Sequence, residues 1–78
     1  MRAIVTVIGK DQVGIIASVC ALLAEHNVNV LDISQTILQD YFTMIMLVDA
    51  AHTDLPFAEL VTALESAGRE RDLVIHAQ

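Results

Sequence analysis

Chemistry in this 78-residue sequence is concentrated in a loop with glycine near each end, Gly9-Lys10-Asp11-Gln12-Val13-Gly14-Ile15. The loop stands between a strand-like run and a helix-like run. Glycines let a backbone approach a ligand closely. Unpaired N–H groups at a helix start favour an anion such as a carboxylate. The alternative is a tight turn capped by Asp11, in which the glycines serve backbone geometry alone. The spacing Gly9-x4-Gly14 imitates the start of a P-loop, but Ile15-Ile16 stand where lysine and a hydroxyl residue are required. Without them neither phosphate nor magnesium is held, which excludes an NTPase. The dinucleotide pattern GxGxxG is also absent.

A second stretch, Asn27-Val28-Asn29-Val30-Leu31-Asp32-Ile33-Ser34-Gln35, puts two amides, Asn29 and Gln35, among apolar residues. A buried amide is costly unless paired. Asn29 suits either a solvent-exposed strand entrance or a ligand contact. Gln35 suits either a satisfied core amide or a ligand contact. His26, His52 and His76 lie far apart, and a metal site needs several converging donors. Cys20 falls on an apolar helical face and reads as a small core residue. Met44 and Met46 alternate with Ile45 and Leu47 and read as packing. Asp11 and Asp32 could meet as a carboxylate pair, but nothing in the sequence supports acid–base work by them. No nucleophile–base order or HExxH string is present. The expectation is a protein that is not an enzyme and carries neither cofactor nor metal.

The elements that position these residues follow from periodicity. Arg2 to Ile8 reads as a buried strand. Val13 to Glu25 reads as a helix whose main face is Ile16, Val19, Cys20 and Leu23, with Ile15 and Leu22 on a second face that could touch a partner. Asp11 or Gln12 is expected at its start. His26-Asn27 ends it, Asn being tolerant of a left-handed conformation. From Val28 to Leu38 the chain alternates. Asn29, Leu31, Ile33, Gln35 and Ile37 are expected on the core side, with Val30, Asp32, Ser34, Thr36 and Leu38 on the wetter side. Gln39-Asp40-Tyr41 is a turn, and Phe42 to Val48 completes a hairpin. Thr53 or Asp54 is expected to cap a second helix with Pro56 in its first turn. Phe57, Leu60, Val61 and Leu64 form its face, and Gly68 is placed to end it. Leu73 to Ala77 is a last strand.

The order βαββαβ predicts one α+β domain over residues 1–78. It is ferredoxin-like: a four-stranded antiparallel sheet with two helices on one face and the first strand inside the sheet. The other face, apolar at the first and third strands, is left open as an interaction surface. Apolar residues make up 55% of the chain and charged residues 18%. Either that apolar share is more than one small core hides, which points to an oligomer interface, or some apolar residues are simply exposed, as is common. The net charge of -6, with only Arg2, Lys10, Arg69 and Arg71 basic, argues against nucleic acid. No apolar run is long enough for a membrane helix, no signal peptide is evident, and the single cysteine forms no internal disulfide. The expected location is the cytoplasm.

The string Ala3-Ile4-Val5-Thr6-Val7-Ile8-Gly9-Lys10-Asp11-Gln12-Val13-Gly14-Ile15-Ile16-Ala17 resembles the opening of ACT domains. With Asn27 to Thr36 and Tyr41-Phe42-Thr43-Met44, it resembles a family of stand-alone, uncharacterised prokaryotic ACT proteins. It is more weakly similar to the ACT modules of formyltetrahydrofolate deformylase and the glycine cleavage repressor. The resemblance implies a ferredoxin-like fold, dimerisation and often amino-acid binding between subunits. It points to Asp11, Gln12, Val13, Gly14, Ile15 and Asn29 as ligand-binding residues. Family members often continue past the last strand, whereas this sequence stops at Gln78. No catalytic or DNA-binding domain is attached, so the expected target of regulation is a separate metabolic enzyme or repressor. The expected function is a dimeric, amino-acid-binding regulatory domain. A ligand-free assembly module is the alternative.

Overall fold

The computed structural model describes residues 1–78. The expected order of elements is present: β1 (Arg2–Lys10), α1 (Ile15–Glu25), β2 (Asn29–Leu38), β3 (Tyr41–Asp49), α2 (Phe57–Glu70) and β4 (Leu73–Ala77). The sheet order is β2-β3-β1-β4, every neighbouring pair is antiparallel, and β1 is an inner strand. This is the ferredoxin-like α+β arrangement.

Alternation decides which side of the sheet the helices cover. Ala3, Val5 and Val7 of β1 are buried, as are Phe42, Met44, Met46 and Val48 of β3 and Leu73, Ile75 and Ala77 of β4. Ile15, Val19 and Leu23 of α1 and Leu60 and Leu64 of α2 close over them in one cluster. Leu23, Leu60 and Leu64 are at most 1% exposed, and burial of each stabilises the fold by about 1.5–3 kcal/mol. The opposite face stays open and carries exposed Ile4, Ile8, Ile45 and Val74.

Several local expectations are corrected. β1 runs through Gly9 and Lys10, because Gly9 pairs with both Phe42 and Leu73 and belongs to the sheet. A Cβ on Gly9 would stand 2.5 Å from a Leu73 methyl, so this glycine serves close strand packing and not a ligand. α1 starts at Ile15, two residues later than expected. Gly14 is its N-cap at φ 89°, and neither Asp11 nor Gln12 caps it. That left-handed residue sets the helix phase so that Ile15 enters the core, while Ile16, one step of about 100° around the helix, is exposed.

α2 is capped by Pro56 rather than containing it, and neither Thr53 nor Asp54 caps it with a side chain. Thr53 instead accepts a bond from the Leu55 N–H at 3.4 Å. Gly68 does not end the helix, which continues to Glu70. A Cβ at Gly68 would lie 2.8 Å from the Leu73 carbonyl oxygen, so glycine there lets α2 sit close on β4.

β2 departs most from its expected reading. A bulge between Val30 and Asp32 leaves Leu31 without a partner on β3, and an extra residue of this kind reverses the alternation. Beyond it, Ile33, Gln35 and Ile37 pair with Met46, Met44 and Phe42 and share their helix-side face. Before it, Asn29 pairs with Asp49 on the open face. Neither helix packs closely on β2, and apart from half-buried Val30 the whole strand is exposed. Asn27 takes the expected left-handed turn, at φ 60°.

Candidate ligand-binding site

Gly14 swings the chain from β1 into α1 and leaves the start of the helix bare. The Ser18 N–H donates to the Gly14 carbonyl at 2.9 Å as the first helical bond. The N–H groups of Ile15, Ile16 and Ala17 have no acceptor within the chain, and no side chain caps them. The loop before them is nevertheless held. The Asp11 N–H donates to the Asp40 carbonyl of the β2–β3 turn at 2.7 Å. The Gln12 side-chain amide donates to the Arg71 carbonyl at 2.9 Å. Arg71 Nη1 donates back to Gln12 Oε1 and to the Val13 carbonyl, each at 3.4 Å.

A shallow groove of about 360 Å³ lies between this loop, the first turn of α1 and the β2–β3 sheet. Asp11, Gln12, Gly14 and Ile15 line it, joined by Ile16, Ala17, Gln35, Ile37 and Phe42. Its chemistry is threefold. Open amides attract an anion, strengthened by the partial positive charge of a helix start. Asp11, which has no cationic partner within ion-pair distance, offers a carboxylate to an ammonium. Ile16, Ile37 and Phe42 offer an apolar wall. An acid, an amine and an apolar side chain are the three parts of an amino acid.

Two of the six expected residues lie elsewhere. The Val13 side chain is 98% exposed and outside the groove. Asn29 pairs with Asp49 across from Arg2, whereas the loop leaves the sheet beyond Lys10. Eight residues of β1 separate those ends, roughly 27 Å at strand rise. Asn29 and the loop therefore cannot meet on one ligand within one chain. Sequence reasoning missed Ile37, Phe42 and Arg71 at this site. Ile37 was legible in part, two positions from Gln35 on an alternating strand; Arg71 had no local signal.

The remaining polar groups are remote. His26 Nδ1 meets Asp54 Oδ1 at 2.9 Å, tying the end of α1 to the approach to α2. No three His, Cys, Asp or Glu side chains converge as metal ligands would. No helix is long and apolar enough to cross a membrane.

A four-stranded sheet of this order with an amide-rich turn after its first strand defines an ACT-type module. The ACT domain family model matches residues 2–78, and the chain belongs to that family. Its relatives include an uncharacterised UPF0237 protein of Bifidobacterium longum, 53% identical over 77 residues, covering 99% of this chain and 86% of that one. Among solved structures it is similar to an ACT domain protein from Streptococcus pneumoniae. That match has a TM-score of 0.88 at 41% identity and covers 100% of this chain and 88% of the other. It is also similar to the regulatory subunit of aspartate kinase from Thermus thermophilus, with a TM-score of 0.76 at 28% identity, covering 99% of this chain and 50% of that one.

Proposed function

We propose that the chain is a dimeric regulatory module that binds an amino acid and acts on a separate protein without catalysing a reaction itself. The observation that carries this reading is the set of unpaired amides at Ile15, Ile16 and Ala17, facing a groove that also holds Asp11. The ligand carboxylate sits on those amides, its ammonium on Asp11, and its side chain against Ile37 and Phe42. The family and the regulatory subunit it resembles support a role in regulation. Cytoplasmic work suits a lone Cys20, which stays reduced there.

The dimer has its own support. β2 is an edge strand whose stretch beyond the bulge and Asp32, from Ile33 to Leu38, carries no charge and no proline and leaves Ile33 and Ile37 exposed. Edges of that kind pair with other strands unless blunted. Two copies of β2 pairing antiparallel would bring the Asn29 end of one beside the loop end of the other. The candidate residues then converge at a seam, and a ligand there would favour one arrangement of subunits over another.

Calorimetry against the twenty amino acids at millimolar concentration tests the reading. Saturable heat for one or a few is expected, lost in Asp11→Ala. A ligand at a hundred times its dissociation constant would stabilise the fold by about 2.7 kcal/mol. The absence of both heat and a melting shift for all twenty would overturn ligand binding. One observation favours the second reading, an assembly module without a ligand: Ile4, Ile8, Ile45 and Val74 remain exposed on the open face after any β2 pairing. Co-purification from the native host separates the two, since a clean homodimer without a partner counts against assembly.

A further inference from the structure

We infer that the cleft between α1 and α2 is a second binding site, for a monocarboxylate with a short apolar tail, anchored by Arg71. Its lining residues are distinct from those of the amide-lined groove, although Arg71 also braces the β1–α1 loop through Gln12 and Val13. The two helices part to leave a cavity of about 260 Å³, floored by Val19, Leu64, Leu73 and Ile75. Ala21 and Ala67 keep its walls open where larger side chains would fill it.

The guanidinium at one end is short of partners. Arg71 is half-buried, yet no carboxylate approaches it within ion-pair distance, although the chain carries ten acidic residues. Of its five N–H donors, only those on Nη1 are engaged, with two neutral oxygens at 3.4 Å. A carboxylate accepts two parallel bonds from such a fork. Glu25 and Glu70 lie on the rim of the same cleft. They disfavour a multiply charged phosphate, so the most the open guanidinium fork can accept is a single carboxylate. From Ser18, near the Arg71 end, to Glu25 is about 10 Å along α1, so the tail is short. The cavity falls just below the usual range for ligand pockets, which suits a small metabolite and not a peptide.

The test is a titration of ¹⁵N-labelled protein with 4-methylpentanoate, with 4-methylpentanol as the uncharged control. Saturable shifts are expected at Ser18, Leu22 and Ala67, with the acid binding about tenfold or more tightly than the alcohol. Arg71→Met should lose that preference, Arg71→Lys should keep part of it, and Ala67→Leu should abolish binding of both. Thermal melting confirms that each variant is folded, and Arg71→Gln replaces any that is not. Three outcomes would overturn the site: no saturable shift, equal affinity for acid and alcohol, or unchanged binding in the Arg71 variants. Shifts confined to Ile15, Ile16 and Ala17 would also overturn it, while leaving the amide-lined groove intact.

Discussion

Gln12 and Arg71, 59 positions apart in sequence, hold each other twice: the Gln12 amide donates to the Arg71 carbonyl at 2.9 Å, and Arg71 Nη1 donates to Gln12 Oε1 at 3.4 Å. The pair fixes the β1–α1 loop to the end of α2, so the bare amides are presented in one place. Gln12→Ala removes both bonds. The expected result is faster hydrogen exchange at the hydrogen-bonded amides of Asp11 and Ser18 that flank the loop, with a loss of stability of about 0.5–1.5 kcal/mol. Unchanged exchange would show that the Asp11–Asp40 backbone bond and the Arg71–Val13 bond hold the loop without Gln12.

Gly68 and Gly14 are intolerant of a side chain for opposite reasons, and their variants should differ in kind. A Cβ at Gly68 meets a backbone carbonyl that cannot turn aside. Overpacking of that sort costs about 1–3 kcal/mol, offset only in part by alanine's better helix propensity, worth about 1 kcal/mol. At Gly14 a Cβ would meet the Arg71 guanidinium only at ordinary contact distance, but φ 89° strains any L side chain. Urea unfolding should therefore show a net loss for Gly68→Ala. Gly14→Ala should shift the start of α1 and weaken ligand binding. Equal behaviour in both assays would contradict this division.

The exposed edge gives a prediction about assembly. Ile33 lies on β2 beyond the bulge, 38% exposed and uncovered by either helix. A charge at such a position is a natural means of blocking edge pairing. Ile33→Lys should sediment as a monomer at concentrations where the parent chain is a dimer, while keeping its far-ultraviolet spectrum. A variant that still dimerises would move the seam to another surface.

Acid dependence has one identifiable contributor. The Ala51 N–H donates to Asp49 Oδ1 at 3.0 Å and the terminal ammonium approaches it at 3.4 Å. Led by the Ala51 bond, these interactions hold the Asp49 carboxyl below its ordinary value of 3.8. A carboxyl with a depressed folded pKa stabilises the fold fully above its unfolded pKa. That stabilisation is lost as pH falls through the folded one. Asp49→Asn should thus be less stable than the parent near neutrality, by a small margin because the carboxyl faces solvent. The two melting curves should converge as pH drops below about 4. A constant difference across that range would rule out the linkage.

What could be read from the sequence was whatever one element decides for itself. The buried alternation of Val5 and Val7, the left-handed Asn27 and the last strand need no distant partner to be recognised. The phase of α1 was not legible, because Ile15 and Ile16 are equally apolar and only the conformation of Gly14 decides which one turns inward. The bulge at Leu31 leaves no mark in composition, yet it carries Asn29 to the other face of the sheet. Gly68 resembled a helix terminator because its real constraint, the Leu73 carbonyl, belongs to a different element. Arg71 was counted among the charges; its bearing on the site comes only from the antiparallel return of α2 beside α1.

The inner position of β1 also governs the timing of synthesis. Val5, Thr6 and Val7 are made 72, 70 and 68 positions before their partners Ala77, His76 and Ile75. At about 5–20 residues per second, one flank of β1 waits roughly 3–14 s for β4. During that interval one edge of β1 has no partner and is open to mispairing with other strands. Long-range closure of this kind also makes folding slower than the small size suggests.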